Sequence, residues 1–504
     1  MASHEQEEIS TKVKLSKLHC PFTWEIQHSV VKHSIMYINN NNIDCENDAT
    51  DNDASCPLEL LMKSLFKCYK AVLSADNDKA KKIITEAKNV LIQIQEGQEL
   101  HRTVRGIEHV FYATKCFVLY DSEENDQLEE ILENIINTDD FTNEELGALY
   151  GCESIIWSCL NDFGMNKAID MATKAIVKDQ DCALWHFILG KNLRRQRRSI
   201  NVSSEVSDAE KNHFEIAYAI SKNEVFGIYY LQMRMESFYK FIKDRNYAIK
   251  KATNEKQVLE IAKKMVKSKP TNCKVLLKLA LMFLRANASD ETLLAKECLD
   301  SVKEMAPNNA TYLHYTAMLY ERCGDYREAI KYFKKAADCN NFIAEIAYVQ
   351  YGWETGELEP LPHLLRMMKK YDHVIKERRI SMLLAIAVTY YSLHKDIINA
   401  AEYFLKALII DPINKKFKIY YKFLDFNTQS ILLFLNNQFC PLLESKNLQE
   451  TSQKIKDLLN LRTVTVEDEI TYLSEEFRNL CTNNRPQQLE HKDYLQSLFE
   501  NCDL

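Results

Sequence analysis

Residues 191–198 read Lys-Asn-Leu-Arg-Arg-Gln-Arg-Arg, five cations in eight positions of a chain whose formal charge is −8. A guanidinium presents a planar fork that bonds two phosphate oxygens at once. Several cations together also release condensed counterions when a polyanion binds, so the chemistry indicated is salt-sensitive anion binding. If the preceding helix ends at Gln180, Gly190 falls on the small position of a helical repeat. Lys191 and Arg194 then face a concave side, with Arg195 next in line. For Arg197 and Arg198 the competing reading is a solvated helix end whose cations complement the C-terminal dipole. Phe226 and Tyr229 fall on the concave side of the next such helix. Rings there either fill the core or stack on bases, at about 1–3 kcal/mol per base. Lys274 and Lys278 flank a later concave position, and His314 occupies one in the repeat starting at Ala310; each is otherwise an ordinary packed or surface residue.

Other chemistries find no support. No nucleotide-binding loop, Ser/His/Asp order, His-rich metal motif or paired-carboxylate pattern stands out, so no catalysis, cofactor or metal is expected. The 15 cysteines include no CxxC pair, and Cys152 and Cys159 are spaced i, i+7 without a histidine at ligand spacing. They read as free thiols of a reducing compartment. The negative overall charge repels nucleic acid and anionic membrane, so anion binding must rest on a local basic patch. The N-terminus lacks an apolar leader core and no run of 18 apolar residues occurs, which predicts a soluble cytoplasmic protein. The sequons at Asn201, Asn287 and Asn309 then carry no meaning.

The elements that position these residues are helices. The 504 residues include only 10 Gly and 9 Pro, too few to punctuate a sheet fold. An internal period is the strongest signal. Ala400, Phe404, Ala407 and Pro412 form the small–aromatic–small pattern of a tetratricopeptide helix B, closed by a proline. Ala329, Phe333 and Ala336 repeat it, with Asn341 in place of the proline. Ala295, Leu299, Val302 and Pro307 are a weaker copy; Ala168, Ala172, Ala175 and Ala80, Ile84, Ala87 are looser ones. In helix A of one unit, Leu313, Ala317 and Tyr320 take the large, small and aromatic positions before Gly324 turns the chain. Residues 101–136 read as a hairpin with degenerate packing positions, and residues 340–371 as another broken around 352–362. The fold class is all-α, a tetratricopeptide superhelix (α-solenoid) of about eight or nine helical hairpins.

The predicted organisation is an N-terminal helical segment (1–38), an acidic, Asn-rich disordered loop (39–57), the repeat array (58–424) and a C-terminal helical region (425–504). Residues 199–207 read as a Ser-rich linker. Thr465 reads as the N-cap of one of several ordinary amphipathic helices after 425.

Leu18, Cys20, Phe22, Thr23 and Trp24, with Pro21 where a histidine is usual, resemble the N-terminal signature of the interferon-induced proteins with tetratricopeptide repeats. Cys152, Glu153 and Trp157, and residues 376–412, are similar to later parts of that family, so the resemblance spans residues ~15–420. It implies a cytosolic innate antiviral protein without enzymatic activity. Such a protein holds single-stranded RNA with a 5′-phosphorylated or capped end in a basic channel, and forms homo- or hetero-oligomers with related proteins. By the resemblance Arg195 falls on an arginine that contacts 5′ phosphates and His314 on a histidine that touches RNA. Lys274 or Lys278 takes an arginine's place. A pocket lysine is replaced by Asn161, a nearby tyrosine by Lys274 or Val275, and the segment 30–38 matches poorly. These departures put a triphosphate-specific pocket in doubt. The alternative is a protein-interaction scaffold or co-chaperone adaptor that clamps peptide carboxylates; a third reading is an assembly subunit using its helices after 425 as an interface.

Overall fold

The computed structural model describes residues 2–26, 56–97, 100–160, 163–200, 205–238, 245–286, 289–371 and 376–460. The Asn-rich loop up to residue 55, the segment 30–38, Asn161 and Thr465 lie outside them. The chain divides into two compact units, Met1–Pro307 and Asn308–Leu504.

The first unit opens with α1 (Ala2–Ser16), followed by six antiparallel hairpins: α2 (Pro57–Leu73) with α3 (Asn77–Glu96), α4 (Val104–Asp121) with α5 (Asn125–Asn134), and α6 (Asn143–Ser158) with α7 (Met165–Lys178). Then come α8 (Ala183–Ile200) with α9 (Asp208–Ser221), α10 (Glu224–Glu236) with α11 (Arg245–Lys267), and α12 (Cys273–Arg285) with α13 (Ser289–Met305). The second unit adds α14 (Ala310–Arg322) with α15 (Tyr326–Asp338), α16 (Phe342–Glu354) with α17 (Pro360–Lys370), and α18 (Lys376–Ser392) with α19 (Ile397–Ile410). Among the described residues this makes nine hairpins of a tetratricopeptide α-solenoid.

The local sequence explains the boundaries. Side-chain oxygens of Asn223, Asn272, Asn309 and Asn341 cap the first helix of four hairpins by accepting from amides two or three residues on. Asp76, Asp325 and Asp396 do the same for second helices. Each cap contributes about 1 kcal/mol. Thr142 and Glu145 form a reciprocal capping box at α6. Gly324, at φ +79°, makes the turn between α14 and α15.

The repeat motif is the core. Ala400, Phe404 and Ala407 are fully buried, as are Ala329, Phe333 and Ala336. The small residues let helices approach and the ring fills the space between them. Helices approach closely at Gly151, where an added Cβ would stand 2.3 Å from the fully buried Trp185 ring. Gly151→Ala is expected to destabilise the protein by about 1–3 kcal/mol through overpacking. It should read as a lower urea midpoint at unchanged slope; an unshifted midpoint would refute it.

Three expectations need correction. The break expected at 352–362 is a plain turn: Gly352 lies inside α16, Gly356 turns at φ +75°, and Pro360 starts α17. The linker expected from residue 199 begins later, because α8 runs to Ile200. The region after 425 is not purely helical. β1 (Tyr421–Phe423) and β2 (Phe426–Thr428) form a two-stranded hairpin with Phe423 opposite Phe426. It packs with Phe434, Phe439 and Tyr391 before α20 (Ile431–Phe434), α21 (Cys440–Ser445) and α22 (Gln449–Asn460).

The N-terminal signature is a clasp. Phe22 stacks on Phe117 at 4.6 Å and meets the Tyr69 ring edge-on at 4.9 Å. The Cys20 amide donates to Thr23 Oγ1 at 3.0 Å. Burial pushes His109 down to about 4, so its neutral ring donates from Nδ1 to the Ile136 carbonyl and accepts the His19 amide at Nε2. These residues tie the N-terminus to the first two hairpins.

Candidate nucleic-acid interface

The basic cluster belongs to α8. Trp185, Phe187, Ile188 and Leu189 bury the first half of this helix, which fixes the direction of the cations one and two turns later. Lys191 pairs with Glu59 from α2 and lies over the rings of Phe187 and Tyr229, at 5.3 and 5.8 Å. Arg195 Nη1 donates to the Ser158 carbonyl at the end of α6, at 2.9 Å. From α12, Lys278 Nζ donates to Gln232 Oε1 at 2.7 Å and stands 4.7 Å from the Tyr229 centroid. Lys274, one turn earlier, acts electrostatically on both Tyr229 and Glu59.

Tyr229 therefore sits beneath four cations. Burial pushes its phenol up, but Lys274, Lys278, Lys191 and Arg194 outweigh that and bring it down to about 7. The potential there is positive even with Glu59 present, and the Glu59 carboxyl itself is held at about 2: burial raises it, and Lys191 foremost more than offsets this. Lys63 and Lys70 extend the basic surface along α2 toward Arg195, where all three act on the part-buried Cys159 thiol, whose pKa desolvation nonetheless raises.

The second half of the cluster does something else. Arg197 donates to Glu210 at 2.8 and 3.0 Å and also pairs with Glu236. Arg194 bonds Glu236 as well, and Arg198 lies 3.6 Å from it. Glu210 and Glu236 are buried. The solvated helix end expected for Arg197 and Arg198 is thus replaced by a buried ion network. Arg198, expected to touch RNA, has a side chain only 9% exposed and is held inward by Glu236. Arg194 shares that carboxylate, so it supports the site more than it forms the surface.

Two further expectations are corrected. Phe226 is 1% exposed and stacked on Phe187 at 4.3 Å, so its faces are occupied and it is core. His314, in the second unit, is buried against Phe333 and Tyr315, because the helix-B aromatic of its own repeat covers it. The structure brings Lys191, Arg194, Lys274 and Lys278 to Tyr229 and sets Arg195, one turn beyond Lys191, against the Ser158 carbonyl. Sequence reasoning missed the carboxylates Glu59, Glu210 and Glu236 and the amide Gln232. The available signal was an acid in an otherwise apolar helix start, Pro57-Leu58-Glu59-Leu60-Leu61.

Among the described residues no group of His, Cys, Asp or Glu could hold a metal, the twelve cysteines are free thiols, and no helix is long and apolar enough to cross a membrane.

No family model matches the chain, and no curated protein matches its sequence. Solved structures do match in shape. The human IFIT1 dimer with m7Gppp-AAAA is 14% identical with a TM-score of 0.56, covering 90% of this chain and 99% of that one. A monomeric mutant of IFIT1 with Gppp-AAAA is 15% identical with a TM-score of 0.61, covering 94% and 100%. The human IFIT1 dimer with PPP-AAAA is 14% identical with a TM-score of 0.57. The chain has the tetratricopeptide solenoid fold. At such identity the likeness establishes that fold and leaves residue roles to the geometry of this chain.

Proposed function

We propose that the first unit binds single-stranded RNA through the basic surface around Tyr229, as a non-catalytic, cytoplasmic protein of innate antiviral defence. The observation that carries this reading is the convergence of Lys191, Arg194, Lys274 and Lys278 on one buried phenol in a protein of net charge −8. A phosphate placed there experiences the same field that acidifies Tyr229. Lys191 and Lys278 reach the site as point charges and Arg195 as a fork. A 5′-phosphorylated or capped end suits such a cluster, and IFIT1, which shares the fold, is seen with RNAs of both kinds. Pairing with related solenoid proteins is part of the same reading.

Four phosphate contacts, by Lys191, Arg195, Lys274 and Lys278, give an expected slope of log K against log salt near −3 for a single strand. Affinity should fall roughly 50-fold between 50 and 200 mM salt. Fluorescence polarisation with 5′-triphosphate, capped and 5′-hydroxyl oligonucleotides measures this. No retention of any of them at low salt would remove the reading.

One observation favours a peptide clamp as the second reading. The cations come from the first helices of different hairpins, α8 and α12, with Gln232 between them on α10; clamps for C-terminal carboxylates distribute their cations in this way. Pull-down before and after nuclease separates the two. Partners lost with nuclease indicate RNA; partners retained indicate peptide.

A further inference from the structure

The positive charge around Tyr229 continues past the two lysines of α12. The preceding helix, α11, has Glu255 and Glu260 as its acids and ends in Lys263, Lys264 and Lys267; the turn into α12 adds Lys269 ahead of Lys274. Lys263 is engaged by Glu260 and Glu291. Lys264, Lys267 and Lys269 are exposed, and none of them forms an ion pair among the described residues. An exposed lysine is ordinary in itself. Elsewhere in the first unit, however, Lys174 and Lys296 each pair with an acid one turn away, as does Lys251 on α11.

The backbone of this edge carries a second signal. Lys222, closing α9, and Lys269, after α11, both adopt a left-handed φ of +54°. A residue with a Cβ is costly there, and Gly or Asn is the usual occupant. The second unit has Asn340 in that conformation after α15. The Ser268 hydroxyl donates to Glu224 Oε1 at 3.2 Å, which ties the end of α11 to the start of α10 and engages an acid of this edge. Lys269 follows one end of that bond and Lys222 lies two residues before the other, so both exposed lysines stand at one edge of the stack. From there the chain turns onto α12 at Lys274 and reaches the Tyr229 ring through Lys278, one helical turn or about 6 Å further on.

We propose that an RNA strand longer than the pocket leaves the Tyr229 site over the α11–α12 edge, its phosphates held by Lys269, Lys267 and Lys264. This path rests on the RNA reading of that site and extends it to the length of strand engaged. A row of lysines without acids suits a phosphate backbone, because each binds as a point charge and reads no sequence. Fluorescence polarisation of the full chain with 5′-triphosphate oligonucleotides of about 4 and about 16 nucleotides tests it. Each single-strand phosphate contact adds about 0.7 to the salt slope, so three should make the slope of the longer oligonucleotide steeper by about 2. The variant Lys267→Gln/Lys269→Asn keeps the fold, since asparagine suits the left-handed turn. In it the longer oligonucleotide should bind roughly tenfold more weakly while the shorter changes by less than about twofold. Equal affinity and slope for the two lengths in the wild type would overturn the path, and so would equal weakening of both in the variant. An acidic peptide that binds the wild type as tightly as the longer RNA, and is weakened alike by the variant, would assign the edge to a protein instead. Failure of both oligonucleotides to bind the wild type at low salt would remove the Tyr229 site itself, and the path with it.

Discussion

Glu236→Gln is expected to lower the unfolding free energy of the first unit by about 3–5 kcal/mol, the usual cost of removing one partner from a buried ion pair. The carboxylate lies at the end of α10, where the helix dipole disfavours a negative charge. Burial would raise its pKa further, yet Arg194, Arg198 and Arg197 hold it at about 2. Without it Arg194 and Arg198 lose their shared anion, while Arg197 keeps its pair with Glu210. The pH dependence follows from the direction of the shift. A carboxyl depressed from its ordinary 4.5 to about 2 stabilises the fold fully above pH ~4.5 and loses that contribution as pH falls toward ~2. The wild type and Glu236→Gln should therefore converge in stability across this window. Urea titrations at neutral and acid pH check both points, and a neutral-pH difference under about 0.5 kcal/mol would sink the argument.

Lys278→Glu is expected to weaken RNA binding by roughly 100-fold, because it removes a charge-assisted contact and puts an anion beside the phosphate. Lys278→Gln should cost less and flatten the salt slope by about 0.7, one phosphate contact. Arg195→Glu should likewise abolish retention, whereas Phe226→Leu should leave the salt slope alone, since Phe226 is core. Tyr229 adds a signature in pH. Below about 7 its phenol is neutral and the surrounding cations are all available; above it the phenolate competes with the ligand for them. Affinity should fall by about tenfold as pH rises through this range, and Tyr229→Phe should remove the dependence. Binding that is equally pH-dependent in Tyr229→Phe would dissociate the phenol from the site.

The repeat architecture was legible because it is written in local, periodic terms. Alanine and phenylalanine at fixed spacing on a helix meet only in a stack of such helices, and Ala329, Phe333 and Ala336 take the buried places their spacing requires. The asparagine caps were equally available in the sequence, since each acts within three residues. The two-stranded hairpin after α19 was less so: its pairs are short, and the hairpin is held by tertiary packing of Phe423 and Phe426.

The basic run at 191–198 was visible as charge, but its division was not. Sequence determined that five cations stand together on one helix. Tertiary structure decided that Arg197 and Arg198 turn inward to Glu210 and Glu236, while Lys191 and Arg194 join Lys274 and Lys278, some eighty residues later, around Tyr229. The physical reason is that a charge takes its role from the dielectric around it and from partners on other helices. The 3.6-residue period fixes which way a side chain points, and leaves open whether it meets water, a phosphate or a buried carboxylate.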